Sequence, residues 1–262
     1  MKSVWMNELT WEDVDEYLKT DDIVIIPVGS TEQHGPAGPL GVDAFAAIAL
    51  AEDGAKRAHV LTTPPLWFSD APHHLAFPGT IALRAETLIH VIKDIVHSLA
   101  SNGFKKFIVI NGHKGTNIPA ITLACRDLQQ YELPDIRMAM TDPLYLCTNA
   151  KEVKGSHTEH HAGGLEIAHV MYKFPGLVKK DRLPEKDIDL SEVFGDYIGT
   201  DLFGGKHPTV ELLWNSEQQK KFAPHGNFSA SDWATEEVGK AYHENMVDNL
   251  VEFIEWFKGY SD

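Results

Sequence analysis

The chain has 262 residues, and 38 Asp and Glu against 23 Lys and Arg give it a formal charge of −15. That balance excludes a nucleic-acid or anionic-membrane partner, because both recruit a basic surface. Two cysteines exclude a disulfide framework, 43% hydrophobic content excludes disorder, and 14 histidines are the unusual count.

In chain order, Thr10 followed by Trp-Glu-Asp predicts a short capped helix. Asp22 to Val28 is a short β-branched run and predicts a buried strand. Val42 to Arg57 carries Ala, Leu and Ile at helical spacing, and His59 to Thr63 reads as a second strand. Arg84 to Asn102 places Leu88, Ile92, Val96 and Leu99 on one helical face, with Gly103 as the stop. Phe107 to Ile110 is a third strand, about Asn117 to Gln130 a helix, and Ile136 to Met140 a fourth strand. Helices follow at about Ala162 to Tyr172 and about Trp233 to Lys258. Between them, residues 174–230 are rich in Gly, Pro and charge and predict long loops with short elements.

Strands alternating with helices imply βαβ units, hence a mainly parallel sheet covered on both faces. Length allows one or two domains, and the lack of a linker favours a single domain over 1–262. No apolar leader follows the first Lys and no run is long enough to span a bilayer. A soluble, reducing compartment, the cytoplasm, is the expectation.

Ligands of a parallel sheet collect outside the carboxyl ends of its strands. The first strand runs into Gly29-Ser30-Thr31-Glu32-Gln33-His34-Gly35, with Asp43 nine residues on, and the third runs into Asn111-Gly112-His113. Glu32, His34, Asp43 and His113 form a two-histidine, two-carboxylate set of the kind that suits Zn, Mn or Fe. Singly, each has an ordinary reading: Asp43 as a helix cap, His34 and His113 as turn residues. The tract His157-Thr158-Glu159-His160-His161 is a further cluster or a plain surface stretch. His59, His90, His97, His169, His207 and His243 stand in no motif and are expected to pack or face solvent.

These motifs, with Phe77-Pro78-Gly79-Thr80 and His161-Ala162-Gly163-Gly164-Leu165-Glu166 in the same order, resemble the creatininase (creatinine amidohydrolase) family over nearly the whole chain. The resemblance implies a three-layer αβα sandwich, two divalent ions per chain (Zn, Mn or Fe) and a homo-oligomer, a hexamer or smaller. It implies Glu32, Asp43 and His113 on one metal, and His34 and Asp43 on the second, with Asp43 bridging. It further implies His161 in proton transfer. Creatininase itself has a ligating Glu where this chain has Gly115, so Glu166 is expected to take that role, with Glu159 as its substitute if the loop folds inward. Ser69, His74, Lys114, Gly115 and His160 fall on the substrate side.

The family's reactions share an activated water and a carbonyl. Lys114 and the polar loop favour a small polar cyclic substrate, opened at a C–N bond. Two alternatives stay open: a C–C hydrolase acting on an inositol-derived cyclic diketone, and a metal-binding scaffold without catalysis.

Overall fold

The computed structural model describes residues 2–204 and 208–260; His207 lies outside them. Helix α1 (Trp11–Leu18) begins at Thr10, whose hydroxyl accepts from Asp13 N while Asp13 Oδ2 accepts from Thr10 N. Then come β1 (Ile23–Val28), α2 (Val42–Ala58), β2 (Leu61–Thr62), α3 (Ala85–Ser101), β3 (Lys106–Asn111), α4 (Asn117–Asp127) and β4 (Arg137–Thr141). Two short helices, α5 (Pro143–Leu146) and α6 (Ala150–Lys154), precede α7 (Gly164–Lys173). Residues 174–230 carry α8 (Leu190–Phe194) and α9 (Ser216–Phe222), and α10 (Glu236–Lys258) follows.

The four strands form one parallel sheet in the order β2-β1-β3-β4. Every β1 residue is buried, as its β-branched run requires. Alternate residues supply two cores. Ile23, Ile25, Ile108 and Ile110 pack with Leu50 of α2 and Met246, Leu250 and Ile254 of α10. Val24, Ile26, Phe107 and Val109 pack with Leu88 and Ile92 of α3 and Ile121 of α4. Helices therefore cover both faces, giving the three-layer αβα sandwich. Pro27 is tolerated in an inner strand because its carbonyl side faces Leu66, beyond the end of the β2 ladder. Its missing N–H lies on that same side, where no ladder bond is owed.

Two of the boundaries that differ from the sequence reading have a visible physical reason. The helix expected to reach Gln130 leaves α geometry after Asp127 and closes in a π turn over Leu128–Glu132, where Gln129 Oε1 accepts from Met138 N at 2.9 Å. The second strand shrinks to two residues because His59 is the left-handed cap of α2, at φ 56°. A Cβ in that conformation costs about 1–2 kcal/mol, of which Gly returns part to the unfolded chain. His59→Gly is therefore expected to stabilise by about 0.5–1 kcal/mol, raising Tm by about 1–4 °C in thermal denaturation followed by circular dichroism. Among the described residues no helix is long and apolar enough to cross a membrane.

Candidate metal centre

The carboxyl edge of the sheet is where the side chains converge. β1 continues into Ser30 and Glu32, both fully buried, and β3 ends at Asn111, with His113 two residues beyond. Asp43 comes from the first turn of α2. Two glycines let α2 close on the sheet. A Cβ on Gly29 would lie 2.2 Å from Ala44 Cα, and one on Gly112 would lie 2.0 Å from the Asp43 carbonyl oxygen. Asn111 shapes the turn that follows: its Nδ2 donates to His113 O and its Oδ1 accepts from Asn117 Nδ2 at 3.1 Å.

Glu32, His34, Asp43 and His113 come together as the sequence predicts, all within 4% exposure. His113 Nδ1 lies 3.1 Å from Glu32 Oε2 and 3.2 Å from Asp43 Oδ2. His34 Nε2 lies 3.2 Å from Asp43 Oδ1 and 4.0 Å from Glu166 Oε2. Asp43 thus turns one oxygen to each histidine. Two overlapping groups have ligand atoms close enough to share an ion: Glu32, Asp43 and His113, and Glu32, His34 and His161. The second histidine nitrogens are held from behind, His34 Nδ1 by Glu32 O at 3.2 Å and His113 Nε2 by Thr116 Oγ1 at 3.4 Å. This is the outer support that metal-binding imidazoles need. Glu32 Oε1 and His34 Nε2 are buried and make no well-aligned hydrogen bond, although His74 Nε2 and Asp43 Oδ1 lie 3.2 Å from them, so both keep a lone-pair direction for a cation.

The electrostatics agree. Burial opposes charge on His34, yet the Asp43 carboxylate outweighs it and lifts the imidazole to about 9. His113 is likewise raised well above the usual value, despite burial, by Glu32 and Asp43. Asp43 is depressed below the carboxylate range by both histidines against its own burial, whereas burial raises Glu32. The carboxylates hold protons on two imidazoles, so the pocket is built for positive charge, from protons or from metal.

The other predicted residues divide. Glu166 approaches His34 as expected, while its Oε2 also accepts from Ala162 N at 2.8 Å. His161 sits beside the cluster, its ring 4.7 Å from His34 and its Nδ1 3.9 Å from Glu32 Oε1. Burial and the His34 charge push its pKa well below the ordinary value. Ala162, next in the chain, has φ 56°, a strained conformation for a residue with a Cβ. Gly115 faces open space at φ 77°. Lys114 borders a small internal cavity with Asp43, Glu159 and Glu166, and its Nζ lies 5.0 Å over the Phe203 ring. Burial lowers its pKa against the pull of Asp142 and Glu166.

Four expectations change. Glu159 does not turn toward the cluster; it caps α7, accepting from Leu165 N at 2.9 Å. His74 is buried behind Glu32, not on an open substrate side, with its Nε2 3.2 Å from Glu32 Oε1. Its Nδ1 accepts from the side-chain amides of Gln33 and Gln219, both at 2.8 Å, so its Nε2 hydrogen points at the carboxylate. Ser69 is fully buried as well. His160 borders a separate groove of about 490 Å³ with Leu190, Ile198, Val210, Leu212 and Trp214. Burial brings its pKa down to about 4.

Sequence reasoning passed over Gln33. Its Nε2 lies 2.8 Å from ring nitrogens of both His74 and His161, tying the two histidines together. Its place between Glu32 and His34 was the available signal.

Fold and site together define an αβα protein with a metal centre at the carboxyl edge of its sheet. The family description "Creatininase: Creatinine amidohydrolase" matches residues 7–254. The chain belongs to the creatininase family of hydrolases. It is 28% identical over 200 residues to a creatinine amidohydrolase of Pseudomonas putida, covering 70% of this chain and 76% of that one. It is 37% identical over 111 residues to a 3-dehydro-scyllo-inosose hydrolase of Thermotoga maritima, a match spanning 42% of this chain and only 36% of the relative. A creatininase crystal structure superimposes with a TM-score of 0.81 at 22% identity, covering 100% of both chains. Further creatininase structures of this fold are described as Mn and Zn-Zn forms.

Proposed function

We propose that the chain is a metal-dependent hydrolase that opens a small polar cyclic substrate at a carbonyl, by C–N cleavage. The observation that carries this reading is the buried cluster of Glu32, His34, Asp43 and His113, in which Glu32 belongs to two overlapping groups whose ligand atoms are close enough to share an ion and Asp43 turns one oxygen to each histidine. In the proposed assignment Glu32, Asp43 and His113 hold one ion, and His34, Asp43 and Glu166 hold the other. Divalent cations bound there supply an acidified water and a Lewis acid for the carbonyl. The Zn and Mn descriptions of creatininase structures make those metals, and Fe by ligand type, the first choices.

The chain's own residues do the rest. Asp43 fixes the two ligand sets relative to each other, through one oxygen to each histidine. His74 and Gln33 hold Glu32 and His161 in place. His161, neutral by burial and adjoining the cluster, is placed to carry a proton to the leaving group. Lys114 is the cation that a carboxylate, enolate or hydroxyl of the substrate would meet. It also supports a second reading, C–C hydrolysis of an inositol-derived cyclic diketone, because an ammonium favours an enolate-like leaving group. We further propose a homo-oligomer working in the cytoplasm.

Metal analysis and a substrate panel test these readings. Two equivalents of Zn, Mn or Fe per chain are expected, with turnover of a lactam or cyclic imide. Turnover of keto-inositols alone would move the assignment to the second reading, and no turnover on any substrate would sink both. A folded preparation that binds no metal would make the chain a non-catalytic scaffold.

A further inference from the structure

The loop-rich segment 174–230 reaches the back of the metal cluster through one buried amide. Gln219 of α9 is fully buried, and its Nε2 lies 2.8 Å from His74 Nδ1. Its Oε1 lies 2.8 Å from the indole Nε1 of Trp214. The next residue also holds α9 against the loop that carries His74: Lys220 Nζ donates to Ala76 O at 2.8 Å and lies 5.5 Å over the Phe77 ring. Trp214 is held in turn, stacked on Phe194 at 5.2 Å and edge-on to Phe222 at 5.7 Å.

Donor chemistry sets the directions. An indole N–H can donate and cannot accept, so Gln219 Oε1 accepts from Trp214 and the amide nitrogen is the end turned to His74. Gln33 reaches the same atom from its own anchor: the Gly35 N–H donates to Gln33 Oε1 at 2.9 Å, which turns Gln33 Nε2 to His74 Nδ1 at 2.8 Å. Two amide donors meet His74 Nδ1, so that nitrogen is bare and the ring hydrogen sits on Nε2. Burial and the neighbouring His161 push the His74 pKa well below its ordinary value, so the ring takes no second proton. Gln33 is a shared donor, since the same Nε2 also lies 2.8 Å from His161 Nε2 and 3.2 Å from Gly226 O. The Glu32 carboxylate has one oxygen, Oε2, held by Ser30 Oγ at 2.9 Å and His113 Nδ1 at 3.1 Å. Beside the other, Oε1, His74 Nε2 stands at 3.2 Å and His161 Nδ1 farther off at 3.9 Å. The His74 contact is bent, so it acts as an N–H dipole beside the carboxylate. A bare Nε2 in its place would set a lone pair against that oxygen.

We propose that Gln219 and Trp214 are positioning residues for Glu32, acting through His74. The Trp214 indole orients the Gln219 amide, the amide keeps the hydrogen on His74 Nε2, and that hydrogen orients the Glu32 carboxylate. Gln219 and Trp214 act through His74 and make no contact with Glu32 of their own. The segment 174–230 thereby carries the outermost support of a residue that follows β1. That Glu32 holds a metal rests on the hydrolase reading; its orientation through His74 does not.

The test is NMR of the metal-free full chain at neutral pH, with nitrogen-15 in histidine and carbon-13 in the glutamate carboxyl groups. Wild-type His74 is expected to show a bare Nδ1 and a protonated Nε2. Gln219→Met keeps the bulk and removes both amide bonds. It is expected to shift the His74 hydrogen toward Nδ1 and to move the Glu32 carboxyl signal. Trp214→Phe keeps an aromatic ring and removes the indole donor, and it is expected to move the same two signals. Because Trp214 acts through Gln219, the double variant should leave both signals where Gln219→Met alone puts them, whereas independent packing defects would add. Zinc affinity, measured by competition with a chelator, is expected to fall about 10-fold in either variant, as when the support of a metal ligand is lost. A protonated Nδ1 in wild-type His74, signals unmoved in the variants, additive shifts in the double variant, or unchanged zinc affinity would each overturn the proposal. Trp214→Phe decides the matter where Gln219→Met fails to fold. A wild type that binds no zinc would sink the metal reading, and the NMR signals would still decide this one.

Discussion

Asp43→Ala is expected to remove metal binding while leaving the protein folded. Asp43 faces both His34 and His113, each at 3.2 Å. Without it both proposed ligand sets lose the carboxylate they share, leaving only Glu32 with His113 and Glu166 with His34, and His34 loses the main charge that lifts its pKa. His34 is free to revert to neutral and His113 stays paired with Glu32, so no unpaired charge is left in the core and the metal-free protein should melt near the wild type. The measurement is Tm against Zn or Mn concentration. Wild type is expected to gain about 2.7 kcal/mol at 100 times the Kd, a rise of roughly 5–11 °C, and the variant nothing. Hydrolytic activity should fall by about 10³-fold or more, since the loss of metal removes several kcal/mol of charge stabilisation. Glu52→Ala, on the exposed part of the same helix, is the control and should change neither readout. Retention of two metal equivalents by Asp43→Ala would refute the ligand assignment.

β1 and β3 are runs of β-branched residues, and in a parallel sheet whatever follows such runs gathers on one edge. Glu32, His34 and His113 were therefore legible as neighbours across some eighty residues of chain. His74 was placed near the site, but its true direction depends on Gln219, 145 residues away, and no local pattern carries that contact. Glu159 was misread for a related reason: a Gly-Gly pair opens α7 with free N–H groups, and a buried carboxylate found them before it found the cluster. The His169–His243 pair joins two helices by helix-on-helix packing. Amphipathic spacing marks such faces as buried without saying which polar groups meet across them. The π turn after Asp127 was invisible too, because Leu128 and Gln129 suit a continuing helix and only the bond to Met138 on the next strand selects the wider turn.

Gly112→Ala is expected to damage the site from outside it. The residue contributes no side chain, yet a Cβ there would stand 2.0 Å from the Asp43 carbonyl oxygen and 3.2 Å from Asp43 Cα. Real Cβ atoms do not approach backbone so closely, and no flexible group is available to yield. Either α2 must retreat at its first turn or the β3 end must bend. Both moves carry Asp43 away from His113, whose Nδ1 now lies 3.2 Å from its carboxylate. Overpacking of this kind costs about 1–3 kcal/mol, a fall in Tm of roughly 2–12 °C. Displacement of a ligand by even a fraction of an ångström should weaken metal binding by about 10–100-fold, the size of effect seen when the support of a metal ligand is lost. The two readouts separate close packing from chemistry. Loss of stability with metal affinity intact would mean that the chain absorbs the methyl elsewhere and that Asp43 keeps its place. Loss of both, with His113 chemical shifts changed in the metal-free protein, would show that the glycine after β3 is there to let α2 deliver its carboxylate.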